Sequence, residues 1–321
     1  MKPKLTIGMA TYDDFDGVWF TLQNLIMRFR WHELEEIEFI VVDNAPHLPA
    51  GEAVRRYVAD ITRADVRYVE RCLRPCAALA KEQIFKRARA DVVIVMDCHI
   101  LPRIAGLREA YMRLRDPSRK WLLHGPLCGV NLNVTATHMR DAFRCGMYGR
   151  WDIDPRGQST HFPIFEINAH GMGLFACRKE HWPGMNPRFY GVCSEEGYIH
   201  RKMRQSGGKV MCLPAMKWVH RHSQHKSPPY HDNEQSLVHL LRNWVLACDE
   251  LGDPALLDEV VINFLEHQFM DLAKIQGVIH ACRNELLTAP GKEPARFDPL
   301  LAGNGKPAPK PPGTGEHRPG L

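Results

Sequence analysis

Long hydrophobic runs, a secretory leader and blocks of like charge are all missing from this sequence. No run of roughly 18 consecutive apolar residues occurs, and the N-terminal stretch MKPKLTIGMATYDD turns acidic too early for a signal peptide. The 42 lysines and arginines barely outnumber the 37 acids, and the two signs are interspersed. We therefore expect a soluble, cytoplasmic protein with no transmembrane segment and no nucleic-acid partner.

The ten cysteines do not have the spacing of a disulfide framework or a zinc site. Cys72 and Cys76 lie close together, but no second pair follows them. Without a secretory leader, scattered cysteines are expected to be reduced and buried as small apolar side chains. With 45% hydrophobic residues and no internal repeat, the chain can bury one large core or two modest ones.

Apolar runs and helical periodicities alternate over the first hundred residues. Buried strands are predicted at residues 5–11, 38–44, 66–70 and 92–96, and the segments between them have helical spacing. Strands that alternate with helices are typical of βαβ units and a parallel sheet. The sequence therefore predicts an α/β fold with a mixed, mainly parallel sheet flanked by helices.

The segment DVVIVMDCHILP, residues 91–102, carries the first candidate metal ligands. Side chains alternate along an extended chain, so Asp97 and His99 are expected on one side and Cys98 on the other. Ligands of open α/β sheets bind beyond the carboxyl ends of parallel strands, where Asp43 ends another predicted strand. The alternative interpretation is a strand that simply ends in polar residues.

Three later segments have less regular patterns. Residues 121–129 and 209–223 each predict one strand, and residues 130–165 lack periodicity and predict a long lid or binding loop. Helical spacing returns beyond residue 225 and predicts a helical extension over 226–288. Residues 289–321, rich in Pro and Gly, predict a disordered tail. The main domain is therefore expected to span residues 1–225.

Glycines and glutamates mark two more candidate site segments. In AHGMGLFACR, Gly171 and Gly173 either bring backbone close to a ligand or only form a turn before a strand. Ser194 can cap a helix whose first turn carries Glu195 and Glu196. Acids are favoured at that end by the helix dipole alone, which is the alternative to a catalytic role.

The order of these motifs resembles that of the inverting family-2 glycosyltransferases and their relatives, nucleotide-sugar enzymes of the GT-A fold. LTIGMATYDD is similar to the family's first strand and Pro-Thr-Tyr-Asn turn, with Ala10 in place of the proline. VVDNAP is similar to the family's Val-Val-Asp-Asp-Gly-Ser. The resemblance implies a Rossmann-like GT-A domain in which Ala10, Thr11, Tyr12 and Asp43 contact the donor, Asp43 through the nucleobase or ribose.

The same resemblance extends to the helix CAALAKEQIF and to DCHILP. Lys81 lies at the basic position of the family's Ala-Arg-Asn helix, although it can equally be a solvated helix charge. DCHILP stands where the family has Asp-X-Asp, and its histidine matches the Asp-X-His of the polypeptide N-acetylgalactosaminyltransferases. The implied donor contacts are Lys81, Asp97, Gly171 and Gly173.

A second histidine completes the metal site in that group of transferases, and His220 has the matching place here. His222 or His225 could replace it. The implied metal ligands are Asp97, His99 and His220. Imidazole ligands favour Mn²⁺ over Mg²⁺, which prefers oxygen, so we expect Mn²⁺ or, failing that, Mg²⁺.

The segment SEEGYIHRKMRQSGG resembles the family's Glu-Asp helix, with Glu196 at the catalytic base and Glu195 beside it. Because both are glutamates here, which one reaches the acceptor stays open. The resemblance implies a hexosyl- or N-acetylhexosaminyltransferase that uses a nucleoside-diphosphate sugar, such as a UDP-sugar, with inversion. The acceptor is a hydroxyl of a glycan, lipid, protein or small molecule. The alternatives are a catalytically silent nucleotide-sugar or glycan binding protein and a metal-dependent hydrolase.

Overall fold

The structure is a computed structural model that describes residues 2–71, 74–144, 147–191, 193, 195–221 and 234–288. Its strands are β1 (Leu5–Thr11), β2 (Ile37–Asp43), β3 (Asp65–Glu70), β4 (Val92–Asp97), β5 (Ile100–Pro102), β6 (Trp121–His124), β7 (Leu127–Cys128), β8 (Val134–Ala136), β9 (His138–Arg144), β10 (Met147–Asp152), β11 (Phe165–Glu166), β12 (Leu174–Arg178), β13 (Lys209–Cys212) and β14 (Trp218–His220). Its α-helices are α1 (Phe15–Arg28), α2 (Trp31–Leu34), α3 (Pro49–Asp60), α4 (Ala77–Arg87), α5 (Ile104–Leu114), α6 (Glu195–Gln205), α7 (Glu234–Leu251), α8 (Pro254–Glu266) and α9 (Leu272–Thr288).

Eight of these strands form one sheet, in the order β11-β13-β6-β12-β4-β1-β2-β3. The four strands β3, β2, β1 and β4 are parallel, and β13 is parallel to β6. Strand β12 runs antiparallel to both β4 and β6. The predicted mixed, mainly parallel sheet is therefore confirmed.

Both faces of this sheet are buried, as expected for the apolar run in β4. Val93 and Val95 face one cluster of apolar side chains, and Ile94 and Met96 face the other. The first cluster contains residues of α4, α6 and the three C-terminal helices, and the second contains residues of α1, α3 and α5. Helices thus cover the sheet on both sides, which is why β4 shows no alternation of apolar and polar residues.

Two segments predicted as single strands are each divided in two. Residues 121–129 break at Gly125 and Pro126, because proline has no N–H for a strand ladder and Gly125 lies against the backbone of Met216. Residues 209–220 break around Pro214. In both cases the first half joins the large sheet, and the second half joins a small sheet with the order β5-β14-β7-β8.

The prediction of an irregular loop over residues 130–165 is wrong. This region contains β8 and the antiparallel pair of β9 and β10, and β11 begins at its last residue. Only Tyr148 is buried among the six residues of β10. A strand with so little buried surface needs no apolar alternation, and the sequence therefore gives no period-two signal there.

The C-terminal helices pack on the sheet domain and share its apolar core. Helix α7 lies so close to α6 that a Cβ at Gly197 would be 2.5 Å from the Trp244 ring. The proposed boundary at residue 225 stays a prediction. The predicted tail at 289–321 lies outside the described residues, as do Ser194, His222 and His225. In the part of the chain that is described, no helix has the length and apolar character needed to cross a membrane.

Candidate active site

The carboxyl ends of β1, β2 and β4 meet at one edge of the sheet, as the sequence predicts. The strand register places Ala10 beside Asp97 and Thr11 beside Asp43. The backbone N–H of Asp97 donates to the carbonyl of Gly173 at 2.9 Å, just before the antiparallel strand β12 begins. This edge therefore combines the C-terminal ends of the parallel strands β1, β2 and β4 with the N-terminal end of the antiparallel strand β12.

Three residues that could ligate a metal lie together at this edge. One ligand atom each from Asp97, His99 and His220 lies within 4.8 Å of the others. Strand β14 pairs antiparallel with β5, and the pairing of His220 with Ile100 brings the second histidine next to the first. The His220 Nε2 lies 3.6 Å from Asp97 Oδ2, and the ring centroids of His99 and His220 are 4.8 Å apart.

The predicted basic residue, Lys81, is buried beside this cluster. Its side chain comes from α4, is only 4% exposed and lies 3.5 Å from Asp97 Oδ1 and 3.4 Å from Glu195 Oε1. Burial alone would raise the pKa of Asp97, but the Lys81 cation and the histidines hold that pKa well below its usual range. Burial likewise opposes the lysine's charge, yet the neighbouring carboxylates raise its pKa overall. Lys81 is therefore a buried cation and not a solvated helix charge.

The two glutamates of α6 have different surroundings. Glu195 is buried and paired with Lys81. Glu196 is half-buried, and the backbone N–H of Met172, between the two candidate glycines, is close enough to lower its pKa slightly. Burial and the charge of Glu195 raise the pKa of Glu196 to about 8, although Lys81 opposes this rise. The glutamate pair thus faces the glycine segment that adjoins Asp97.

Sequence reasoning missed Asp14, which contacts the candidate ligand His99. Asp14 Oδ2 lies 2.9 Å from His99 Nδ1, and Asp14 Oδ1 accepts from the N–H of Gly17 at 2.8 Å, capping α1. Cys98 is buried, and its Sγ is 3.5 Å from both Asp14 Oδ2 and His99 Nδ1. The available signal was an aspartate at the predicted start of a helix, which alone indicates only a cap.

The candidate glycines are required by close packing. A Cβ at Gly173 would lie 2.6 Å from the Trp218 ring and 3.1 Å from Asp97 Oδ2, and a Cβ at Gly171 would lie 2.6 Å from the ring of Trp151. Trp151, in the segment predicted as a lid or binding loop, is 41% exposed. These contacts explain the glycines without a ligand, so their contact with a donor stays a prediction.

The remaining predicted donor contacts also lie at this edge, where they have structural partners. Asp43 is 1% exposed, and it accepts from the N–H of Ala45 at 2.8 Å and from the Tyr68 hydroxyl at 2.7 Å. Burial raises its pKa. Thr11 is buried and Tyr12 is half-buried. Their contact with a nucleotide, like that of Ala10 and Asp43, stays a prediction.

Three fully buried histidines lie together: His200 of α6, and His124 and His170 next to it. His200 Nδ1 is 2.5 Å from the carbonyl of Glu196, and His200 Nε2 is 2.9 Å from His124 Nε2. A carbonyl only accepts, so Nδ1 of His200 carries the hydrogen and Nε2 accepts from His124. Burial lowers the pKa of His200 to about 3 and that of His170, which stacks on His124, to about 4. These neutral rings fix α6 without adding charge.

No model of a known protein family matches the chain, and no curated protein matches it either. Solved structures do match. The structure of GalNAc-T7 with UDP, GalNAc and Mn²⁺ aligns with a TM-score of 0.57 and 15% identity, over 87% of this chain and 55% of that one. The structure of TarS residues 1–349 from S. aureus with UDP-GlcNAc aligns with a TM-score of 0.52 and 12% identity, over 87% and 79%.

At such identities these similarities establish the fold. The predicted GT-A fold, with its largely parallel sheet between helices, is confirmed. The chain spans 55% of the GalNAc-T7 chain that it matches.

Proposed function

We propose that the protein is a metal-dependent glycosyltransferase that moves a sugar from a nucleoside-diphosphate sugar to an acceptor hydroxyl. One observation carries this proposal: Asp97, His99 and His220 converge where β4 ends in a GT-A sheet, and Lys81 joins Asp97 to Glu195. The aligned structures contain UDP and Mn²⁺ or UDP-GlcNAc, which favours a UDP-linked hexose or N-acetylhexosamine as the donor.

The chemistry of the cluster suits a divalent cation. One carboxylate and two imidazoles form a mixed oxygen and nitrogen set, which favours Mn²⁺ over Mg²⁺. A bound cation would neutralise the charge that develops on the diphosphate as the sugar leaves. Lys81 lies beside Oδ1 of Asp97 and keeps this side chain ionised, so the aspartate can ligate a cation at neutral pH.

Glu196 is the better candidate for the general base. A base must take the proton from the acceptor hydroxyl, and it works best when its pKa lies near the working pH. The pKa of about 8 gives Glu196 this property, whereas Glu195 is already paired with Lys81. We propose that Glu195 positions Lys81 and that Glu196 accepts the proton, with inversion at the anomeric carbon.

The first test measures binding by thermal shift with Mn²⁺ and with UDP-, GDP- and dTDP-sugars. A ligand at 100 times its Kd adds about 2.7 kcal/mol to stability, which is readily detected. We expect one sugar nucleotide to stabilise the protein strongly only when Mn²⁺ is present. Asp97→Asn should abolish the Mn²⁺ effect, and Asp91→Asn, at the exposed opposite end of β4, should preserve it. Equal Mn²⁺ effects in both variants would refute the site.

The second test separates catalysis from binding. Glu196→Gln should keep donor binding and lose at least about 100-fold in transfer, the usual share of a general base. A wild type that binds donor but turns over no acceptor would favour the silent binding protein. Equal turnover with and without a sugar acceptor would favour the hydrolase. The anomeric configuration of the product, read by NMR, tests inversion.

A further inference from the structure

The sharpest unexplained contact near the metal cluster is the hydrogen bond between Asp14 and His99. It joins the turn after β1 to the segment after β4, 85 residues away in the sequence, at 2.9 Å. Both side chains are largely buried, with 18% and 17% exposure. A contact of this kind between a carboxylate and a ligating histidine fixes which ring nitrogen carries the hydrogen.

We propose that Asp14 is a positioning residue that presents Nε2 of His99 to the metal. A carboxylate accepts hydrogen bonds and donates none, so the bond requires a hydrogen on Nδ1. In a neutral imidazole the other nitrogen, Nε2, then keeps its lone pair free of hydrogen. The hydrogen bond thereby holds the ring in the tautomer whose Nε2 can bind a cation. This inference rests on the proposed metal-dependent function.

The carboxylate is itself fixed before any metal binds. Its other oxygen accepts from the N–H of Gly17, so both oxygens are committed to different partners. A Cβ at Gly17 would overlap the Asp14 carboxylate, so this glycine leaves the space that the carboxylate occupies. Asp13, with a φ of 50°, turns the chain just before the cap. The start of α1 therefore fixes the carboxylate that holds His99, a candidate ligand in the turn between β4 and β5.

A rival interpretation is that Asp14, Cys98 and His99 form a metal site of their own. Their ligand atoms also lie within 4.8 Å of one another. The distance of 2.9 Å between Asp14 and His99 is that of a hydrogen bond with its hydrogen in place. Asp14 Oδ2 already accepts from His99 Nδ1 at 2.9 Å and from the Cys98 thiol at 3.5 Å, so this oxygen has hydrogen-bond donors within the trio. We therefore infer that Asp14 and Cys98 support His99 and are not metal ligands themselves.

The decisive variant is Asp14→Asn. Asparagine has one side-chain oxygen, so it cannot accept from both Gly17 and His99, and its amide facing Nδ1 would favour the opposite tautomer. We expect Mn²⁺ affinity, measured by EPR titration of free Mn²⁺, to fall 10- to 100-fold, roughly the usual effect of losing such a partner. Asp16→Asn is the matched control, because Asp16 lies exposed in the same helix turn.

A second readout does not depend on activity or on metal. In the metal-free protein, ¹⁵N NMR of the imidazoles should show Nδ1–H for His99, assigned by its loss in His99→Ala. In Asp14→Asn the ring should shift toward Nε2–H. Gly17→Ala, which displaces the carboxylate without removing it, should weaken Mn²⁺ binding in the same direction. Cys98→Ala should change Mn²⁺ affinity less than about twofold if the thiol is no ligand.

The outcomes separate this inference from the proposed function. If Asp97→Asn abolishes Mn²⁺ binding while Asp14→Asn leaves both affinity and tautomer unchanged, the function stands and the role of Asp14 is refuted. If Asp97→Asn has no effect on Mn²⁺, the proposed function fails, yet the tautomer measurement still decides whether Asp14 orients His99. A loss in Cys98→Ala as large as in Asp14→Asn would favour the rival site.

Discussion

Replacing Lys81 with methionine should destabilise the protein strongly, because it leaves two carboxylates in the interior without their cation. At an effective dielectric constant of 20, a pair 3.4–3.5 Å apart attracts by about 5 kcal/mol, and Lys81 makes two such pairs. Most of this attraction is offset by the desolvation of the three groups. Breaking a buried pair on one side costs about 3–5 kcal/mol, which is our expectation for Lys81→Met.

Urea denaturation at neutral pH provides the assay. With an m-value of about 3 kcal/mol/M for a chain of this size, the midpoint should fall by about 1 M or more. The loss should shrink at acidic pH, where a buried carboxylate without its cation is protonated and no longer carries an unpaired charge. The double variant Lys81→Met/Glu195→Gln should recover more than half of the loss, because one of the two unpaired carboxylates is then removed.

Lys86→Met is the matched control, because Lys86 is exposed on the same helix and should cost less than about 0.5 kcal/mol. A Lys81→Met protein within about 1 kcal/mol of the wild type would refute the buried ion network. So would a double variant that is less stable than Lys81→Met alone.

Two further predictions concern Glu196 and Gly173. The folded protein holds a proton on Glu196 up to pH about 8, whereas the unfolded chain releases it near 4.5, so wild-type stability should fall as pH rises through this window. Glu196→Gln lacks this loss, so its free energy of unfolding should rise relative to that of the wild type by about 2 kcal/mol between pH 5 and 8, after allowance for partial exposure. Urea midpoints that change with pH in the same way for both proteins would contradict the raised pKa. Gly173→Ala would place a methyl group 2.6 Å from the Trp218 ring and 3.1 Å from Asp97 Oδ2, so it should cost about 1–3 kcal/mol and weaken Mn²⁺ binding. Full Mn²⁺ affinity in a destabilised Gly173→Ala protein would show that this packing does not set the position of Asp97.

The part of the fold that sequence predicts best is the part buried on both sides. The apolar runs of β1, β2 and β4 identify strands whatever surrounds them, and the acid at the end of β4 marks the site edge. The pairing of β5 with β14 is different, because it is a contact between segments about 120 residues apart, and only the resemblance to a known family suggested His220.

Other features could not be predicted because their signals are local and ambiguous. Strand β10 exposes most of its residues and has no apolar period. Asp14 reads as a helix cap from its sequence position, which is correct but incomplete, since its second oxygen contacts a histidine from a distant segment. Trp182 is equally ambiguous in sequence, and in the structure it is partly buried and stacks on Phe85, with the ring centroids 4.1 Å apart.

Helix α7 contacts the segment that leads into α6, the helix that carries Glu195 and Glu196. Its Arg242 donates to the carbonyl of Arg188 at 2.9 Å, and its Asn243 donates to that of Tyr190 at 2.8 Å. Trp244 of the same helix packs against Gly197, so α7 contacts the backbone on both sides of Glu195. Any displacement of α7, whether by truncation, proteolysis or a bound partner, would therefore move the Glu195 and Glu196 side chains without any change to those residues themselves.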